Sequence, residues 1–443
     1  MTNQDQQGLP VTASSAAVSL LDHAVADYFG WTGDPVALLE EAVGQDPGFA
    51  LGHAALASLF GLNGLPGGSA PVQDALGKAE AAIQGSTTRE QLHLAAAKAW
   101  SRGEMIGATD IWEQILVDHP RDALALRFAH DSYFYLGHSQ SIRDSVARVL
   151  PAWDKQNRNY GFVLGQYAFG LEEMGELSRA ENAALKALDL NAKDGWATHA
   201  IAHVYETECR QAEGISFLKN SHANWSSAHA LAVHNGWHLA LYLIEEGRFA
   251  EVLADYDRFI APKLAADSLL DLVDASALLW RLELAGADVG QRWLPLADQW
   301  MTHADDHVLV FNDLHIAVAA ARAGGDRVAR LQASLDAFAR NGSGDNHQVT
   351  LDVGRTIIDA VVAFAGGDCR RTTDLLLPIR YKVIRIGGSH AQRDLVTQTL
   401  IAAAERSGQA NLLRNLLAER YATRPTERGR HALIRAGGQI GGL

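Results

Sequence analysis

The chain reads as an all-α solenoid of tetratricopeptide type, with about eleven helical hairpins. Three observations predict this. Gly103, Gly137, Gly175 and Cys209 recur in steps of 34, 38 and 34 residues, each just ahead of a polar turn and a new helix. A helix–turn–helix period near 34 residues marks such arrays. Ala and Leu abound and β-branched runs are short, which favours helix throughout. Finally, 443 residues are more than one compact core fills, whereas stacked hairpins each pack only on their neighbours.

In chain order, residues 1–15 (MTNQDQQGLPVTASS) show no periodicity and read as a flexible N-terminus, and residues 16–438 as one continuous α-solenoid. Hairpins are expected near 16–44, 48–84, 88–117, 122–150, 158–188, 194–220, 228–260, 268–301, 307–340, 346–380 and 390–422, with a capping helix near 426–436. The glycine-rich stretch 61–71 reads as a loop inside the second hairpin. The clearest repeat spans 158–192. Its first helix carries Ala168 and Leu171, Gly175 makes the turn, and Ala180, Ala184 and Ala187 follow at helical spacing. Small residues so placed let helix axes approach to roughly 8–10 Å. Near the end, Ser389 and Gln392 form a capping-box pattern that opens a helix before Leu395.

Composition excludes some functions. With 38 basic and 52 acidic residues the formal charge is −14, unsuited to a nucleic-acid backbone or an anionic membrane surface. No apolar run of 18 residues is present to span a bilayer. The N-terminus has no basic segment ahead of an apolar core, so it does not read as a secretory signal. Cys209 and Cys369 are far apart and lack CxxC spacing. A reducing cytoplasm is the expected compartment.

Five segments carry a family resemblance: TTREQLHLAAAKAW (87–100), WATHAIAHVYE (196–206), HNGWHLALYLIEEGRFAEVLADYD (234–257), FNDLHIAVAAARAG (311–324) and GGSHAQRD (387–394). In this order they resemble the tetratricopeptide repeat protein 38 family, over most of residues 16–425. The resemblance implies a helical-repeat protein along the whole chain. It carries no catalytic residues, so the site readings below come from this sequence.

Residues 199–238 hold six of the chain's 18 histidines, where one or two would be expected. His199/His203 and His234/His238 are i, i+4 pairs, each on one helix face. Counting Cys209 as repeat position 15 puts His199 at 5, His203 at 9 and Glu206 at 12; counting Gly247 so puts His234 at 2 and His238 at 6. By resemblance to tetratricopeptide arrays, these positions line or border the concave surface. The same count places His315 at position 6, with Asn312 and Asp313 one turn or less ahead, and Arg127 and Asp131 at positions 5 and 9. His199, His203, His234 and His238 are thus candidate catalytic residues, with Glu206, Trp237, Arg127, Asp131, Asp274, Asn312 and His315 as candidate ligand contacts.

Three readings compete for the imidazoles. They are hydrogen-bonded interior groups, or they form a small-molecule pocket with His as acid or base, or they hold a divalent metal such as zinc. The metal is the least favoured, because neither HAIAH nor HNGWH carries the glutamate of HExxH. For Asp271 and Asp274, complementing a helix N-terminus is the preferred account. Trp196, Trp225 and Trp237 read first as core. His390 and Arg393 would sit in the first turn of a late helix, where that helix could reach the groove. Two functions follow: a scaffold that binds a protein or peptide partner, or other ligand, in its concave groove, and, as the alternative, a small-molecule enzyme, hydrolytic among other options, using an enclosed pocket. An open groove favours the first, an enclosed pocket the second.

Overall fold

The computed structural model describes residues 2–439. Helices dominate, and among the described residues the only strands are Thr2–Gln4 and Pro10–Thr12. Every hairpin range expected from the sequence holds helical segments, with Glu427–Arg435 as the final helix. The chain divides into two compact units. Unit 1 holds everything up to Ala200 with Asn224–Leu231 and Ser343–Gln348; unit 2 holds Ile201–Ala223, Ala232–Gly342 and the chain from Val349 onward.

In unit 1 the N-terminal residues are not a loose leader. They pair as an antiparallel ribbon with Thr2 opposite Thr12. Thr12 gives its backbone N–H and its hydroxyl to the Glu90 carboxylate, both at 2.8 Å, and Arg89 donates to the Pro10 carbonyl at 2.9 Å. Glu90 also closes a capping box with Thr87 at the start of Thr88–Ser101. Five helical pairs follow one another, from Ser15–Gly30 with Pro35–Gln45 to Tyr160–Glu173 with Leu177–Leu190. In the last pair Ala168, Ala180, Ala184 and Ala187 are fully buried, as their spacing demands. Gly170 lets Tyr160–Glu173 approach Ser139–Val149: a Cβ there would lie 2.6 Å from the Arg143 Cα. The spaced markers share one backbone state, with φ of +77° at Gly103, +69° at Gly137, +74° at Gly175 and +58° at Cys209. The left-handed turn that ends a first helix is therefore kept where its glycine is replaced.

In unit 2, Leu269–Leu284 packs against both Val310–Ala323 and the much later His390–Arg406. Trp280 Nε1 donates to Thr399 Oγ1 at 2.8 Å, and Arg281 donates to the Ala391 and Gln392 carbonyls at 2.8 and 3.1 Å. Such pairings cross more than 100 residues of sequence. Ser389 and Gln392 close the capping box that their spacing predicts. Ala410–Thr423 then packs on His390–Arg406. Among the described residues no helix is long and apolar enough to cross a membrane.

Candidate functional site

Three of the four singled-out imidazoles lie in unit 2 and meet there. Helix Gly195–Thr207 carries His203, and helix His229–Glu245 carries His234 and His238 one turn apart. The His203 and His238 rings stand 4.4 Å apart, and those of His234 and His238 5.0 Å apart. Each ring offers a nitrogen within 4.8 Å of one on the others. Trp237 forms one wall, stacked at 10° on His234 and edge-on to His238. All three imidazoles are buried, none more than 4% exposed.

Carboxylates hold two of the rings. His234 Nδ1 lies 2.9 Å from both oxygens of Asp274, and His238 Nδ1 lies 3.1 Å from Glu206 Oε2. Asp274 is therefore not helix-start decoration. It is fully buried on helix Leu269–Leu284 against an imidazole, while Asp271 sits in the first turn behind the Ser268 cap. Burial raises the Asp274 carboxyl, with His234 opposing, and burial together with Asp274 pushes Asp271 up to about 7. For Glu206 burial also pushes upward, but the Arg424 guanidinium and His238 overcome it and hold the carboxyl well below its usual range. Burial, then His203, drive the His238 imidazole well below the ordinary histidine value, with Glu206 opposing.

From Glu206 the polar chain continues outward. Arg424 Nη1 lies 2.6 Å from Glu206 Oε1 and 3.8 Å from Asp394, which takes Arg420 at 2.8 Å. Despite the burial penalty, Arg420 and Arg424 hold the Asp394 carboxyl below its usual value. Glu206, Arg281, Asp394, Arg420 and Arg424 line a cavity of about 170 Å³. Arg281 is fully buried, its guanidinium 5.2 Å from the Trp237 ring centre, and burial lowers it to about 10. His390 joins from the late helix, 5.5 Å from His203 ring to ring and 3.0 Å from the Thr207 hydroxyl.

His199 falls in unit 1, its ring 4.8 Å from Trp196 and 5.2 Å from Phe169. Arg127 and Asp131 are also in unit 1, paired at 3.0 Å, with Tyr28, Phe29, Trp31 and Trp196 around the guanidinium at 4.9–5.9 Å. In unit 2, His315 gives its Nδ1 to the Phe311 carbonyl at 2.7 Å, and burial lowers it to about 4. Asn312 beside it is half-buried, and Asp313 bonds His307 at 3.0 Å.

Sequence reasoning missed Arg281, Asp394, Arg420 and Arg424. The only local sign of two of them is that Arg420 and Arg424 stand four residues apart at the end of helix Ala410–Thr423. That spacing names no partner, and Glu206 lies 218 residues from Arg424. No protein-family model matches the chain.

Proposed function

We propose that this protein binds a small polar molecule inside unit 2, with Glu206 and the imidazoles behind it as the working groups. One observation carries the reading: the histidine strip is interior. His203, His234 and His238 are 0–4% exposed, so an extended peptide laid on a surface cannot touch them. A small molecule can meet Glu206, Arg424 and Arg281 in the cavity. At about 170 Å³ this space lies below the range of about 300–1,000 Å³ that holds drug-sized ligands, which suits a compact metabolite. The guanidinium groups match a carboxylate or phosphate, and Glu206, kept ionised, matches an amine or hydroxyl donor. His238 meets Glu206 from behind through Nδ1, which orients the carboxylate at the cavity wall. The scaffold in this reading is a tetratricopeptide-type solenoid, as the turn spacing and the paired helices support, and the chain a relative of the tetratricopeptide repeat protein 38 family.

A thermal-shift panel of small carboxylates, phosphates and amino acids tests the proposal. At least one compound is expected to raise the melting temperature of the full chain, and Arg424→Met is expected to abolish that rise. Binding of a peptide partner undiminished by both Arg424→Met and Glu206→Gln would instead return the open-groove scaffold.

A further inference from the structure

We propose that His203, His234 and His238 bind a divalent transition-metal ion of the zinc class, with Asp274 and Glu206 fixing two of the ligands from behind. The ion site stands on its own geometry; any use of the ion by a substrate rests on the small-molecule reading above.

Donor type comes first. Neutral imidazole nitrogens select zinc, copper, nickel or cobalt, whereas magnesium and calcium take oxygen ligands. Three such nitrogens converge within 4.8 Å of one another. Around a tetrahedral zinc, ligand nitrogens stand about 3.3 Å apart, from bond lengths near 2.0–2.1 Å, so small side-chain rotations close the set.

Orientation comes second. A metal-bound histidine nearly always gives its remaining ring N–H to a carboxylate or carbonyl, which fixes the tautomer and strengthens the donor. His234 and His238 both have Nδ1 against a buried carboxylate. With Nδ1 so engaged, Nε2 is the nitrogen each ring offers to an ion. The carboxylates come from Asp274 and Glu206, on other helices than the rings they hold, so the missing glutamate of HExxH does not count against a metal.

Charge comes third. A buried dication needs anionic neighbours. Asp274 supplies one carboxylate, held against His234, and Glu206 supplies another shared with Arg424.

The test uses the untagged full chain. Elemental analysis after purification is expected to find about one zinc-class ion per chain, and Co²⁺ added to chelator-stripped protein should give the visible absorption of nitrogen-ligated, low-coordinate cobalt. His203→Ala, His234→Ala and His238→Ala should each weaken Zn²⁺ binding by at least about 100-fold, and Asp274→Asn by about 10–100-fold. His93→Ala, in unit 1, should leave stoichiometry and affinity unchanged. The cobalt spectrum of the wild type keeps the test decisive if a histidine variant does not fold. Absence of bound metal together with no cobalt signal at micromolar ion overturns the site, as does unchanged affinity in His238→Ala. A loaded protein that responds to no compound of the thermal-shift panel overturns the small-molecule reading and leaves the ion site standing.

Discussion

Each unit contains a buried histidine, a carboxylate and an arginine in a row, and the two rows differ in what surrounds them. In unit 1, Asp122 takes His93 Nε2 at 3.0 Å and Arg89 Nη1 at 2.7 Å, and its other oxygen accepts the Ala125 N–H at 2.8 Å to cap helix Ala123–Leu136. Arg89 also reaches Asp5 and the Pro10 carbonyl of the ribbon. Asp122 thus joins a helix start to the N-terminal ribbon, and its carboxyl stays ionised because His93 and Arg89 outweigh the burial penalty. In unit 2, His238, Glu206 and Arg424 repeat the chemistry, but further imidazoles lie beyond the histidine and a cavity lies at the arginine. A His–carboxylate–Arg row is thus no functional signature by itself. Unit 1 uses it as a clamp; the clustering and the cavity distinguish unit 2.

The comparison can be broken by experiment. The largest expected effect is at the clamp. Asp122→Ala strands a buried guanidinium and removes a helix cap, which should cost about 3–5 kcal/mol in urea unfolding; a loss under 1 kcal/mol would show that Asp122 is not structural. Next is stabilisation by metal. Zn²⁺ at a hundredfold excess over Kd should add about 2.7 kcal/mol, retained in His93→Ala and lost in His238→Ala. A gain of equal size in both variants would erase the distinction between the rows.

A third effect is in pH. Burial, then Arg127, hold His130 of unit 1 at about 3, below the unfolded value of about 6.5. From pH 6.5 downward the unfolded chain therefore binds a proton the folded one refuses, and stability falls. Burial raises Asp194 to about 7, so its contribution is full below about 3.8 and disappears as pH rises through 7. The two oppose one another across the acid range. Removing the histidine leaves the aspartate unopposed: relative to wild type, His130→Gln should gain about 2 kcal/mol between pH 7.5 and pH 5, measured by urea unfolding at both pH values. A constant difference would show that His130 is not a buried neutral ring. The smallest effect belongs to Glu206→Gln. The change keeps its shape and a hydrogen-bond acceptor, Asp394 remains near Arg424, and the loss should be about 1–2 kcal/mol, well below that of Asp122→Ala.

Much of the secondary structure was legible because its signals are local. The turn residues at 103, 137, 175 and 209, and the Ser389/Gln392 capping box, report backbone needs that neighbouring residues satisfy. The two histidine pairs were legible for the same reason, since i, i+4 spacing fixes a shared face. Less legible was what covers that face. The count of repeat positions put the histidines on or beside an accessible concave wall, whereas His203, His234 and His238 are buried. Burial depends on elements distant in sequence, such as His390–Arg406 against Leu269–Leu284. Asp274 illustrates the limit. Its place near a helix start has a sufficient local explanation, and only the approach of a helix 40 residues earlier shows its partner to be His234.

The tie between Arg424 and Glu206 has a consequence in time. The two residues are 218 positions apart, and translation at about 5–20 residues per second separates their appearance by roughly 10–40 s. For most of that interval a nascent chain holds Glu206, His203, His234 and His238 without the guanidinium that neutralises the carboxylate. Any ion or ligand that depends on the completed charge arrangement must wait for the last helices. A chain stopped before residue 424 would therefore carry every imidazole of the site and still lack its electrostatic balance.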